Sequence, residues 1–245
     1  MRFIVPLFLV WWSLGAMART ADCRDFTPAE CEDILVRWEA ASQPAKGLRG
    51  QFQKLVYDLT FQIERRTEGR FEWEPSGRFL YEVVPSDVPD GLRVSYPQRD
   101  VKSFHVTTAP GETWLFERAA VYRIDHKTGR VQTHLCPESR PFGLTFLGTT
   151  FSPDEFLPLL HQVTANDIRQ RFVVECAKSA PNNSVFLKLK PKDKQLLGRY
   201  SEVHVMLSLE TFLPTAIKII DPFLTVETVH VFSNLTTIPE EAETR

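Results

Sequence analysis

From Gln51 to Pro85 apolar and polar residues take turns. Leu55, Tyr57, Leu59, Phe61 and Ile63 fall on every second position, with Val56, Asp58, Thr60, Gln62 and Glu64 between them. A strand with that spacing is apolar on one face and mostly wet on the other, as expected of a half-buried antiparallel strand. Two shorter runs follow, Arg70 to Glu74 and Arg78 to Val84, set off by the turn-forming Glu68-Gly69 and Pro75-Ser76-Gly77. The pattern predicts a three-stranded meander carrying Phe71, Trp73, Phe79 and Tyr81. Two readings stand side by side: a packed β-core, or a curved apolar face that needs a cover or a ligand.

Ahead of the meander, Thr27-Pro28-Ala29-Glu30 has the form of a helix start, with Thr27 as N-cap, Pro28 at the first helical position and Glu30 closing a capping box. Cys31, Ile34, Leu35, Trp38 and Ala41 share one face at helical spacing, and Pro44 sets the end. This helix is expected to lay one apolar stripe over the sheet. Beyond the meander, strands are predicted at Leu92 to Tyr96, Val101 to Thr107, Thr113 to Phe116, Ala120 to Ile124 and Arg130 to Leu135. After residue 167 they resume at Ile168 to Cys176, Val185 to Lys190, Glu202 to Leu209, Thr215 to Ile220 and Thr225 to Phe232. No long crossover helices separate the strands, so the sheet is expected to be antiparallel.

Between the two sets lies Pro137 to Asp167, which holds Phe146, Leu157 and Leu160 among many apolar residues and a second capping box at Ser152-Pro153-Asp154-Glu155. Pro158 keeps any helix there short or kinked. The segment is either a lid over the open side of the sheet or a plain packed connection.

Composition narrows the class. Of 245 residues 43% are hydrophobic and 24% charged, with a formal net charge of -2, which lacks the basic excess of a nucleic-acid binder. Arg2 followed by the apolar run Phe3 to Met17, with Ala16-Met17-Ala18 at its end, predicts a secretory signal over residues 1–18; the run is short for a membrane anchor. The mature domain is then 19–236, followed by an acidic tail, 237–245. Thr20-Ala21-Asp22 does not resemble the approach to a lipid-modified cysteine, so no anchor is expected at Cys23. An exported chain with Cys23, Cys31, Cys136 and Cys176 favours disulfides. Three pairings are possible, and nearness in sequence and in predicted strands favours Cys23 with Cys31 and Cys136 with Cys176.

Recognised catalytic signatures are missing. No Gly-x-Ser-x-Gly, His-Glu-x-x-His, phosphate-binding glycine loop or Cys-x-x-Cys occurs. His105, His126, His134, His161, His204 and His230 are scattered, and no zinc-like spacing joins them to cysteine. The chain is expected not to be an enzyme and to hold no metal or cofactor. Asn182-Asn183-Ser184 and Asn234-Leu235-Thr236 are glycosylation sequons.

Several short motifs occur in a telling order: the helix leading into Gln51-Phe52-Gln53, a turn ending in Gly69, then Phe71, Trp73, Pro75 and Phe79. Gly111-Glu112-Thr113-Trp114, Leu213-Pro214-Thr215-Ala216-Ile217, Asp221 and Val229 to Phe232 come later. This arrangement resembles the LolA/LolB-like superfamily of periplasmic lipoprotein carriers. With Leu189 to Lys192 and Phe212 to Pro222, it is most similar to the divergent domain found in planctomycetes. The resemblance implies a mostly β (α+β) fold: one strongly curved antiparallel sheet, an unclosed β-barrel, covered by an N-terminal helix and a mid-chain helical lid.

It also implies an apolar cavity that holds the acyl chains of a lipid or lipoprotein. The wall would be Leu55, Tyr57, Leu59, Phe61, Phe71, Trp73, Phe79, Tyr81 and Trp114, and the cover Trp38, Phe146, Leu157 and Leu160. A monomeric, unanchored protein of the periplasm or another extracytoplasmic space follows, exchanging its ligand with a membrane-bound donor or acceptor. On that reading Phe61→Glu abolishes acyl binding. One departure stands out: Glu74 precedes Pro75 where the carriers have an arginine tied to lid closure, and a carboxylate cannot supply those donors. The runner-up is a sensor or protein-interaction domain with the same fold and a filled interior.

Overall fold

Helix α1 (Pro28–Ser42) begins where the sequence marks it. The Thr27 N–H donates to Glu30 Oε2 at 2.8 Å, and the Glu30 N–H donates to Thr27 Oγ1 at 3.3 Å, which satisfies two of the helix's free amide groups. The stripe of Ile34, Leu35 and Trp38 is buried. The computed structural model describes residues 26–42, 47–74, 76, 78–96, 103–117, 120–135, 157–160, 163–179 and 183–238.

Strands β1 (Gly47–Asp58), β2 (Ile63–Trp73) and β3 (Phe79–Pro85) form the predicted meander. They are followed by β4 (Arg93–Val94), β5 (Phe104–Thr108), β6 (Glu112–Phe116), β7 (Ala120–Asp125) and β8 (Val131–Leu135). After the short α2 (Leu157–Leu160) and α3 (Ala165–Arg171) come β9 (Phe172–Ser179), β10 (Ser184–Pro191), α4 (Lys194–Leu197), β11 (Glu202–Ser208), β12 (Pro214–Ile220) and β13 (Val226–Ile238). All thirteen strands belong to one sheet, whose main path is β8-β7-β6-β3-β2-β1-β13-β12-β11-β10-β9. The first and last strands pair in its middle, from Gly47 opposite Ile238 to Asp58 opposite Val226. Among the described residues the end strands β8 and β9 do not pair with each other, and the barrel is unclosed.

Every strand pair is antiparallel except one. β5 runs parallel to β2 from Ile63 opposite His105 to Arg66 opposite Thr108, beside the stretch of β2 that β3 leaves uncovered.

Four local expectations are corrected. The alternation through Ile63 is not one strand: the chain reverses at residues 59–62, where Asp58 Oδ1 accepts the Phe61 N–H at 3.0 Å and Gln62 takes φ 55°. Gly69 is not a turn residue but lies inside β2, because a Cβ there would come within 2.3 Å of the Phe52 ring and 2.4 Å of the Glu82 carbonyl oxygen. Ile168 to Arg171 is the end of α3, capped by Thr164 Oγ1 accepting from the Asp167 N–H, and the strand starts only at Phe172. Finally, β13 runs to Ile238, two residues into the expected tail. The signal segment, the second capping box and the rest of the tail lie outside the described residues.

The cysteine pairing is also corrected. Cys31 is bonded to Cys176 across 145 residues, with their Cα atoms 5.8 Å apart. The reason is topological: α1 crosses to the free edge of the sheet, and the Phe26 N–H donates to the Cys176 carbonyl at 3.1 Å, which brings the start of the helix against β9. Nearness in sequence carried no information about that crossing. Cys23 and Cys136 lie outside the described residues. Among the described residues no helix is long and apolar enough to cross a membrane.

Candidate functional site

Side-chain parity sorts the apolar residues onto two faces. On the inner face, Phe52, Phe71, Phe79, Tyr81, Trp114 and Phe116 from one half of the sheet join Leu187, Val205, Ile217 and Phe232 from the other half in one cluster around Trp38 and Leu160. Only a sheet curved around its helix lets both halves meet there. Phe52 stacks on Tyr81 at 4.9 Å between ring centroids, Trp73 lies 5.7 Å from Phe79, and Phe71 meets Phe232 edge-on at 6.1 Å. Buried in this cluster, Trp38 Nε1 and Trp114 Nε1 have no hydrogen-bond partner among the described residues. An unmade hydrogen bond of this kind costs about 1–3 kcal/mol.

Of the residues expected in the cavity wall, Phe71, Phe79, Tyr81 and Trp114 lie on this inner face, with Trp73 packed at its margin. Leu55 and Tyr57 do not: they point the other way, into a second cluster with Tyr96, Phe104, Val106 and Val229 under the β4–β5 hairpin. Leu59 is packed at the edge of that second cluster, and Phe61 is 72% exposed in the turn. Among the expected cover residues, Trp38 and Leu160 are buried in the inner cluster. Leu157 opens α2, and its side chain, like Phe146, lies outside the described residues. Glu74 is occupied at the β2–β3 turn, where Arg78 Nη1 donates to its Oε1 at 2.9 Å.

The second cluster also holds buried charge that the sequence pattern did not reveal. Glu64, Tyr57 and Glu227 stand in one row across β2, β1 and β13. Arg66 pairs with Glu64, Lys218 pairs with Glu227, and the Tyr96 hydroxyl donates to Glu227 while accepting from Lys218 Nζ. Burial raises the Glu64 carboxyl above its ordinary value against the opposing pull of Arg66. Each carboxylate has its own cation, as buried charges require. Among the described residues no three His, Cys, Asp or Glu side chains are grouped to hold a metal.

His230 belongs to the inner face, opposite Lys54 in β1 and stacked on Phe232. Burial, and then the charge of Lys54, hold its imidazole well below the usual histidine range. Because the unfolded chain takes up that proton more readily, stability is fully present above the ordinary value of 6.5 and falls as pH drops below it. The loss is at most about 1.4 kcal/mol per pH unit for one such group. His204, lowered by burial against Glu202, acts in the same direction, whereas the raised Glu64 opposes both. Thermal unfolding from pH 7 to pH 5 is therefore expected to shift less in His230→Leu than in the unaltered protein; equal shifts would show that His230 is not the buried neutral group.

Open space among the described residues lies at one edge of the sheet. A cleft of about 720 Å³ runs between the start of α1 and the free edge strand β9, over the disulfide. Phe26, Leu35, Phe172 and Val174 line it and are also part of, or packed against, the inner cluster. Its rim is charged: Arg169 pairs with Glu32, Lys190 Nζ donates to Glu175 at 3.0 Å, and Lys192 Nζ donates to the Arg169 carbonyl. No run of the sequence named this cleft, because it depends on the contact between Phe26 and Cys176.

An unclosed single-sheet barrel, with a disulfide-tied helix on its inner face and a cleft at its free edge, defines the class of fold. No family model matches the sequence, and no curated protein does. Solved structures similar to it include a putative outer membrane lipoprotein-sorting protein domain from Vibrio parahaemolyticus, 14% identical, with TM-score 0.41 over 86% of this chain and 94% of that one. A LolA superfamily protein from Nitrosomonas europaea, NE2245, is 8% identical, with TM-score 0.35 over 86% of this chain and 94% of that one. A third is the MucA/MucB complex of Pseudomonas aeruginosa, 14% identical, with TM-score 0.39; 87% of this chain matches 59% of that one. At such identities and scores, nothing those proteins sort or bind passes to this one by likeness.

Proposed function

We infer that the chain is an exported, non-enzymatic binding protein that takes the acyl chain of a lipid or lipoprotein through the α1–β9 cleft toward the inner face. The observation that carries this reading is the cleft itself: about 720 Å³, open to solvent, lined by Phe26, Leu35, Phe172 and Val174 of the inner cluster or its margin together with the charged Glu32, Arg169, Glu175 and Lys192. That volume falls in the roughly 300–1,000 Å³ range of small-molecule sites. Each buried methylene of an acyl chain contributes about 0.8 kcal/mol, so a long chain is held without a covalent step. The disulfide and the sequence of residues 1–18 support an extracytoplasmic location.

A second reading has its own observation. Trp38, Phe79, Tyr81 and Trp114 are almost wholly inaccessible, so much of the inner face is filled by the protein's own side chains. A domain of that kind works through a protein partner and takes no lipid.

Val174→Trp separates the two. An indole at this partly buried position fills the cleft, and a fluorescent fatty acid is expected to bind at least roughly tenfold more weakly while the unfolding temperature moves by only a few degrees. Phe61→Glu is expected to leave binding unchanged, since Phe61 points to solvent and does not line the cleft. Equal binding by Val174→Trp and the unaltered chain would remove the cleft from the account.

A further inference from the structure

Three consecutive connections at one end of the sheet carry exposed apolar side chains. The β1–β2 turn presents Phe61 at 72% exposure, the β12–β13 turn Phe223 at 82% and Leu224 at 51%, and the β10–β11 connection Leu197 at 46%. In the strand order β2-β1-β13-β12-β11-β10 these connections are neighbours, about two strand spacings or roughly 10 Å apart, so they form a row roughly 20 Å long. At the other end of the sheet, Phe212 in the β11–β12 turn is half-buried, with the Arg37 guanidinium 5.4 Å from its ring centroid, while Leu135 at the end of β8 is 78% exposed.

The two phenylalanine turns are built alike and braced together. Asp58 accepts the Phe61 N–H, and Asp221 accepts the N–H groups of Phe223, Thr225 and Val226. Directly after each phenylalanine comes a residue with left-handed backbone, Gln62 at φ 55° and Leu224 at φ 58°. The Leu59 N–H donates to the Thr225 carbonyl at 2.8 Å, tying one turn to the other. A non-glycine residue in that conformation is uncommon, and here two of them hold aromatic side chains outward on rigid loops.

We propose that this row of turns docks on the surface of a lipid bilayer, with Phe61, Phe223 and Leu224 entering the boundary between headgroups and acyl chains. Area selects the occupant. Two largely exposed phenylalanines and two leucines offer roughly 400 Å² of apolar surface, about half of the roughly 800 Å² per partner that a stable protein interface buries. Phe61, Phe223 and Leu224 also project from turns. A bilayer needs neither large area nor matching shape, and side chains projecting from turns at one end of the sheet meet it directly. Membrane contact of this kind stands independently of whether the α1–β9 cleft takes an acyl chain.

The test is flotation of the mature chain with vesicles of mixed phosphatidylethanolamine and phosphatidylglycerol. The protein is expected to float with the vesicles, and Phe61→Ser/Phe223→Ser to partition at least roughly tenfold more weakly, at an unchanged unfolding temperature. Equal flotation of the double variant, or no flotation of the unaltered chain, overturns the proposal. So does a dimer in solution that the double variant converts to monomer, which would give the tips to a second copy. Val174→Trp is expected to float like the unaltered chain, which keeps failure of the cleft distinct from failure of the tips.

Discussion

A chain in which Cys31 and Cys176 are both replaced by serine is expected to unfold roughly 5–15 °C below the unaltered protein, from a loss of about 2–5 kcal/mol. The upper part of that range applies because the bond spans 145 residues, and the constraint it places on the unfolded chain grows with loop length. The native state loses something as well. α1 is held to β9 by the bond and by the Phe26 amide, and the cleft lies directly over that contact. Opening of α1 should therefore precede global unfolding, seen as amide exchange in residues 28–42 that speeds up more than exchange in β1 and β13. An unchanged unfolding temperature would mean that the two cysteines are not joined.

Trp38→Ala is expected to cost about 3–5 kcal/mol, the range for removing a large aromatic from a well-packed core. Trp38 has no exposed surface and belongs to the inner cluster, to which both halves of the sheet contribute side chains. Its truncation leaves a hole that neither half can close without moving the other. Trp38→Phe is expected to cost much less, because the replacement keeps most of the ring and removes a buried indole N–H that has no acceptor among the described residues. Urea denaturation of both variants measures the difference. A Trp38→Ala loss below about 1 kcal/mol would mean that α1 does not seal the inner face.

How far these features could be read from the sequence depended on how local their causes are. The start of α1 was legible because its capping box is a four-residue event, and the same two hydrogen bonds appear in the structure. Phe71, Phe79, Tyr81 and Trp114 came together because alternation within β2, β3 and β6 was read in the right phase. Leu55 and Tyr57 face the second cluster instead. The reversal at residues 59–62 contains no glycine or proline and keeps the alternation going, so the side-chain pattern runs straight through a turn that Asp58 makes by hydrogen bonding. Gly69 misled in the opposite sense, since its bare Cα serves close approach to Phe52 and not a bend.

What could not be read was tertiary. The Cys31–Cys176 bond, the cleft beneath it and the buried ion pairs under the β4–β5 hairpin each join elements from distant parts of the chain. The row of exposed tips is of the same kind: Phe61 and Phe223 are 162 positions apart and adjacent only because the first and last strands pair in the middle of the sheet.

The most direct test of acyl binding is native mass spectrometry of the mature protein purified from its own source, followed by denaturation and extraction of whatever is released. The expected result is a near-stoichiometric acyl species, retained by the unaltered chain and lost from Val174→Trp. A clean mass of the protein alone, together with no binding of a fluorescent fatty acid, would contradict the carrier reading and leave the filled interior of Trp38, Phe79, Tyr81 and Trp114 as the core of a protein-interaction domain.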